Sequence, residues 1–105
     1  TGWYKNWGTK KYHNNYSFPY ITKEVAQYFL EEGIAGIGID TLSPDSITKE
    51  GYYPVHEILL SHNIFIIENI ANLDKIKQYQ CTCIVAPLNI ISTESPIRLI
   101  AMIEN

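Results

Sequence analysis

Apolar residues recur at a helical spacing in two segments of the chain. Thr22 can cap the first helix, predicted over residues 22–32, and Gly33 can end it. The inward face of this helix would carry Val25, Ala26, Phe29 and Leu30. A second helix is predicted to begin at Pro54, because proline suits a first helical turn, and to end near Asn63.

Four short apolar runs predict strands. They span residues 34–40, 64–70, 82–90 and 96–103. The order strand, helix, strand predicts a parallel pair joined by a right-handed crossover. The last two strands could pair either way, and Pro87 would bring the third to an edge or a bulge. We therefore expect an α/β fold, a layered sheet with a βαβ crossover.

The first twenty residues differ from the rest of the chain. They hold both tryptophans and four of the eight tyrosines, and they show no clear hydrophobic period. We predict an ordered aromatic loop over residues 1–20 that covers a neighbouring structure, followed by an α/β core over residues 21–105. Because the chain opens at Thr1 without an initiator methionine, we expect a cleaved or partial chain.

The charge pattern argues against several classes of partner. The 8 basic residues are scattered among 11 acidic ones, for a net charge of −3, whereas nucleic-acid binding needs clustered bases. No apolar run is long enough to span a membrane, and no signal segment opens the chain. Cys81 and Cys83 would share one face of a strand as reduced thiols. We therefore expect a cytoplasmic protein that binds neither nucleic acid nor membrane.

Three polar side chains are predicted to meet at one edge of the sheet. Asp40 closes the first strand, His56 opens the second helix, and Glu68 lies near the end of the second strand. Open α/β sheets bind ligands where the carboxyl ends of their strands meet. Glu68 stands among isoleucines, where an unpaired carboxylate would cost several kcal/mol, so it needs a cation, a base or a raised pKa.

Ordinary structural roles are open to the same residues. Glu68 could turn into solvent or pair with a lysine, and His56 could be a surface or core histidine without a ligand. Arg98 could lie at the edge of a site or form a plain ion pair. The sequence contains no phosphate-binding glycine loop and no Gly-x-Ser-x-Gly elbow, so it does not indicate those enzyme classes.

Six short stretches of the chain occur in the order found in one known family. They are Thr1-Gly2-Trp3, Gly38-Ile39-Asp40, His56-Glu57-Ile58-Leu59-Leu60, Ile67-Glu68-Asn69-Ile70-Ala71-Asn72-Leu73, Ala86-Pro87-Leu88 and Ser95-Pro96-Ile97-Arg98. On these stretches the sequence resembles the cyclase family, which includes kynurenine formamidase. It departs from the family where Thr93-Glu94 replace a usual glycine, and it lacks the family's main metal motif, His-x-Gly-Thr-His-x-Asp.

The resemblance implies a metal-dependent hydrolase of a small amide, formamide or cyclic amide or ester, with zinc or manganese as cofactor. The family uses a histidine and a glutamate twelve residues apart as metal ligands, and His56 and Glu68 have that spacing. Asp40, Arg98 and Trp3 would contact the substrate or orient the metal ligands. The chain would be the C-terminal half of the enzyme, with the general base in the missing N-terminal half, and would be inactive alone.

Two partners other than substrate are expected: the missing N-terminal half and, by self-association, further copies of the chain. An alternative hypothesis is a small, non-catalytic binding module whose aromatic N-terminal segment docks on a partner. The coding sequence upstream of Thr1 would separate the two hypotheses, because a His-x-Gly-Thr-His-x-Asp stretch there would indicate the hydrolase.

Overall fold

The computed structural model describes residues 1–13, 15, 17–47, 51–77 and 80–103. They fall into two compact units, Thr1–Leu73 and Asp74–Asn105. The helices are α1 (Lys10–His13), α2 (Lys23–Glu31) and α3 (Pro54–Ser61). The strands are β1 (Gly36–Gly38), β2 (Phe65–Ile67), β3 (Thr82–Pro87) and β4 (Ile97–Met102), and short 3₁₀ turns cover Trp3–Asn6 and Leu73–Lys75.

The first unit contains the predicted βαβ crossover. β1 and β2 are parallel, with Ile37 opposite Ile66, and α3 connects them. Both strands are shorter than predicted, because Ile34 and Ile64 are used to end the preceding helices. Directly after β1, the Ile39 N–H donates to the Ile67 carbonyl (2.9 Å), so the two segments stay hydrogen-bonded to the end of β2. The α/β fold class is confirmed.

The second unit is built on an antiparallel ribbon. β3 pairs with β4, with Thr82 opposite Met102 and Pro87 opposite Ile97. Pro87 is the last residue of its strand, where a missing backbone donor is tolerated. The sequence left the direction of this pairing open, and the described strands form two separate two-stranded sheets.

The aromatic N-terminal segment is more regular than the predicted loop. It contains a 3₁₀ turn at Trp3–Asn6 and the single turn of α1, while positions 14 and 16 lie outside the described residues. Tyr12 and Phe18 are buried, so the segment is part of the packed unit. None of the helices within the described ranges has the length and apolar character that crossing a membrane requires.

Helix α3 lies at the centre of the hydrophobic core. Its Val55 and Leu59 are fully buried, and they pack with Ala26 of α2, Ile37 of β1 and Ile64 just before β2. Burying one such side chain stabilises the fold by about 1.5 to 3 kcal/mol. The core therefore fixes α3 against the strands, and with it the position of His56 at the start of that helix.

Helices α2 and α3 end in the same way. Residues in the left-handed conformation, Gly33 (φ 65°) and Asn63 (φ 59°), follow the last turns. After α3, Ile64 N–H donates to Leu59 O (2.9 Å) and Asn63 N–H to Leu60 O (3.1 Å). This pair of bonds is a Schellman motif, which satisfies the last helical carbonyls and turns the chain directly into the next strand.

Substitution at these two positions tests the helix ends. Gly33→Ala should lower the free energy of unfolding by about 1 kcal/mol, because an L-residue is strained at positive φ. The new Cβ would meet no other atom within 4 Å, so the cost is one of backbone conformation alone. Asn63→Gly is the matched control and should leave stability unchanged or slightly higher. Urea unfolding of the full-length protein measures both, and a Gly33→Ala protein as stable as the parent would contradict the proposed strain.

Candidate metal centre

The loop after β1 carries a buried carboxylate that caps helix α3 from a distance. Asp45 is 1% exposed, and its oxygens accept from the backbone N–H groups of Val55 (2.8 Å) and His56 (2.9 Å). The residue before the helix, Tyr53, makes no side-chain cap. Because the first N–H groups of a helix have no partner within it, Asp45 supplies the acceptor that Tyr53 lacks.

The same carboxylate orients the imidazole of His56. Asp45 Oδ2 lies 2.7 Å from His56 Nδ1. An ionised carboxylate only accepts, so Nδ1 carries the proton, and Nε2 of the neutral ring presents its lone pair on the opposite side. Metal-binding histidines are commonly held by a carboxylate in this way.

Glu68 lies on the free side of that ring. Its Oε1 is 3.5 Å from His56 Nε2, and the two side chains are 32% and 33% exposed. Glu68 follows β2 and precedes Asn69, which is left-handed (φ 58°) and donates its backbone N–H to Thr41 O (3.0 Å). His56 is thus flanked by two carboxylates, one buried and one reached by solvent.

This arrangement favours a positive charge on the ring. The nearby Glu68 carboxylate is the largest cause that raises the pKa of His56, burial opposes it, and Asp45 adds to it, so that the pKa reaches about 9. A divalent cation between Nε2 and the Glu68 carboxylate would satisfy the same negative field, since both atoms are common ligands of zinc and manganese. The proton and the cation would compete for Nε2.

The described residues supply two such donors. Within them, no group of three or more histidine, cysteine, aspartate or glutamate side chains is arranged to hold a metal ion. Asp45 is committed to α3 and to His56 Nδ1, so it supports the histidine. The donor set fits a cation at His56 and Glu68, with further ligands required from outside these residues.

Asp40, predicted at the same edge, anchors the N-terminal segment. It is buried, and it accepts from Thr1 Oγ1 (2.5 Å) and from Tyr4 N–H (3.3 Å). Burial alone would raise the pKa of Asp40, but the bonds from Thr1 and Tyr4 outweigh it and hold that pKa below its usual range. Both oxygens of the carboxylate are therefore engaged within the chain.

Trp3 and Arg98 are the other two predicted site residues. The Trp3 indole N–H donates to Tyr12 O (2.9 Å), so this side chain holds the N-terminal segment together. Among the described residues, the hydrogen bonds recorded for Trp3 go to Thr1 and Tyr12 and not to His56 or Glu68. Arg98 is an exposed residue of β4, opposite Ala86 in the second unit.

Three comparisons relate this chain to known proteins. Residues 1–46 match the family model described as putative cyclase. The isatin hydrolase of Roseibium aggregatum is 34% identical over 89 residues, a stretch that covers 81% of this chain and 34% of that relative. A solved structure described as a potential metal-dependent hydrolase with cyclase activity superposes with a TM-score of 0.63 at 28% identity, over 80% of this chain and 41% of its own.

The chain is similar to proteins of the cyclase family over most of its length. The resemblance predicted from the sequence is confirmed by these matches. The chain spans about a third of the length of the curated relative and about two fifths of the solved chain. The first of these proteins is an isatin hydrolase, and the second is described as a potential metal-dependent hydrolase.

Sequence reasoning missed Asp45, which acts through a contact that the order of residues does not display. One signal was available for Asp45. Tyr53 cannot cap a helix that begins at Pro54, so an acceptor had to come from elsewhere, and the preceding polar loop was its nearest source.

Removal of the Asp45 carboxylate tests its role in the fold. Asp45→Ala should lower the free energy of unfolding by about 2 to 3 kcal/mol, because buried N–H groups lose their acceptor. Asp74→Ala, at an exposed position, is the control and should change it by less than about 0.5 kcal/mol. Urea unfolding of the full-length protein compares them. Equal losses of unfolding free energy in Asp45→Ala and Asp74→Ala would show that the Asp45 carboxylate does not stabilise the fold.

The pH dependence of the metal-free protein tests the charge on His56. Its pKa is about 9 against an ordinary 6.5, so the extra stability is complete below about pH 6.5 and is lost as the pH rises through 9. Glu68→Gln should lower this pKa, since the largest cause is removed. NMR titration of the His56 ring measures it directly, and a midpoint near 6.5 in the parent protein would contradict the paired geometry.

Proposed function

We propose that the full-length protein is a metal-dependent hydrolase in which His56 Nε2 and the Glu68 carboxylate are two of the metal ligands. One observation carries the proposal. His56 Nε2 and Glu68 Oε1 lie 3.5 Å apart, while the other nitrogen of the ring is fixed by the buried Asp45. The hydrolase relatives support the reaction class.

Each residue has a distinct task in this proposal. His56 contributes the lone pair of Nε2 on a neutral ring, and Asp45 sets the orientation of that ring. Glu68 contributes the negative charge that offsets part of the charge of the cation. A divalent metal, zinc or manganese, would supply Lewis-acid polarisation of the scissile carbonyl. The fold keeps Glu68 near His56 because β2 and α3 pack on the same core.

The ligand count limits what the 105 residues can do. Catalytic zinc sites hold three protein ligands or more, and the described residues supply two. We propose that the remaining ligands and the general base lie in other parts of the full-length protein. The 105-residue chain should then bind metal weakly and hydrolyse nothing detectable. Self-association and a cytoplasmic location remain expectations from the sequence.

The substrate class is proposed from one relative. That relative is an isatin hydrolase, and isatin contains a cyclic amide. We propose a small molecule with an amide, formamide or cyclic amide or ester bond as the substrate here. An aryl formamide, the substrate of an arylformamidase, is one member of this class. The carbonyl of such a bond is the group that Lewis-acid polarisation activates.

The binding-module hypothesis has less support. It needs an aromatic segment free to dock on a partner, but Tyr12 is buried, Trp3 is bonded to the Tyr12 carbonyl, and Trp7 packs edge-on against the Tyr12 ring at 4.9 Å. Tyr12 and Trp3 are thus engaged within their own unit, whereas Trp7 is 66% exposed.

Glu68→Gln in the full-length protein tests the ligand assignment. The change keeps the shape of the side chain and removes its charge, so metal affinity and turnover should each fall about tenfold or more. Glu31→Gln, at an exposed position at the end of α2, is the matched control and should alter neither. Metal content after dialysis and hydrolysis of a panel of small amides and formamides are measured on the same samples. Full metal occupancy with normal turnover in Glu68→Gln would end the assignment.

A further inference from the structure

Tyr12 is a buried phenol whose partners lie far away in the sequence. It is 3% exposed, and its hydroxyl lies 2.5 Å from Asn69 Oδ1, 57 residues further along the chain. The same hydroxyl lies 3.4 Å from the carbonyl oxygen of Asp40. Tyr12 belongs neither to the hydrophobic core around α3 nor to the His56–Glu68 pair, so the function proposed above does not account for its burial and its bonds.

Asn69 is the residue directly after Glu68, and its backbone is in the left-handed conformation (φ 58°). Two backbone bonds flank this bend: Asn69 N–H donates to Thr41 O (3.0 Å), and Ile70 N–H donates to Ile39 O (3.0 Å). An asparagine tolerates this conformation when its side chain is held locally. Tyr12 also holds the Asn69 side chain. The bend that follows Glu68 is therefore fixed by a side-chain hydrogen bond in addition to the two backbone bonds.

Tyr12 is suited to act as a permanent donor. Burial raises the pKa of its phenol, and the charges of Asp40 and Glu68 raise it further, so the hydroxyl keeps its proton at neutral pH. It then donates to the Asn69 side-chain oxygen. On the other side of the residue, the Trp3 indole N–H donates to the Tyr12 carbonyl and ties α1 to the 3₁₀ turn before it.

We infer that Tyr12 is a positioning residue for the metal centre. Its hydroxyl fixes the Asn69 side chain, and through the left-handed backbone of Asn69 it sets the direction from which Glu68 reaches His56. The aromatic N-terminal segment is therefore a support of the metal site. This inference rests on the proposed function, because it assigns a support to a ligand that the proposal names.

A double-mutant cycle in the full-length protein tests the inference. Tyr12→Phe removes only the hydroxyl, and Asn69→Gly removes the side chain while keeping a backbone that accepts positive φ. After removal of the resident metal, the Mn²⁺ dissociation constant is measured from the EPR signal of free Mn²⁺ and is repeated for Zn²⁺ by competition with a chromophoric chelator. Glu68→Gln is the reference, and Tyr28→Phe, at an exposed tyrosine of α2, is the control.

Each single variant should weaken metal binding about tenfold, at the low end of what outer partners of metal ligands contribute. The double variant should bind within about twofold of the weaker single variant, because both changes break one connection. Tyr28→Phe should bind as the parent does. Affinities are referred to the folded fraction, measured by near-UV circular dichroism, and Asn69→Gly carries the test if Tyr12→Phe does not fold.

Three results would overturn the inference, and they are distinguishable. If Glu68→Gln weakens metal binding but Tyr12→Phe and Asn69→Gly lower only the melting temperature, Tyr12 is a structural residue and the metal assignment stands. If Glu68→Gln itself leaves metal binding unchanged, the proposed function fails and the inference fails with it. Additive losses in the double variant would show that the two residues act separately, which also contradicts the proposed connection.

Discussion

The structure of the first unit depends on one buried carboxylate. Asp45 is almost inaccessible to solvent, so its charge has to be met by donors within the fold, and those donors are the first turn of α3 and the ring of His56. Burying an ion without partners would cost several kcal/mol, whereas an ion with three aligned donors is stabilised. The loop after β1, the start of α3 and the orientation of His56 are therefore specified together.

The His56–Glu68 pair shows how a site can be organised from its less exposed side. Asp45 defines which nitrogen of the ring is protonated, and the bend at Asn69 defines where Glu68 leaves the strand. Both constraints act on the parts of His56 and Glu68 that would not contact a cation.

Local signals in the sequence predicted the parts of the fold that form locally. Thr22 and Gly33 mark the ends of a helix through their own backbone chemistry, and the strands around α3 follow from short apolar runs. The edge shared by His56 and Glu68 followed from the strand order. The role of Asp40 did not, because its partners belong to the N-terminal segment, for which the sequence predicts an ordered aromatic loop but none of its contacts. For Arg98 the residues left a place at a site edge and an ordinary ion pair both open, and its strand belongs to the second unit.

The spacing of contacts along the chain has a consequence for the order of folding. His56 is bonded to a residue 11 positions away and faces Glu68 after one helix and one strand, whereas the bond between Tyr12 and Asn69 spans 57 residues. Closing the longer loop costs about 1.4 kcal/mol more entropy than closing one of about 12 residues. Contacts of low sequence separation form early. The histidine–carboxylate pair should therefore assemble with the α3 crossover, and the aromatic segment should dock on it afterwards.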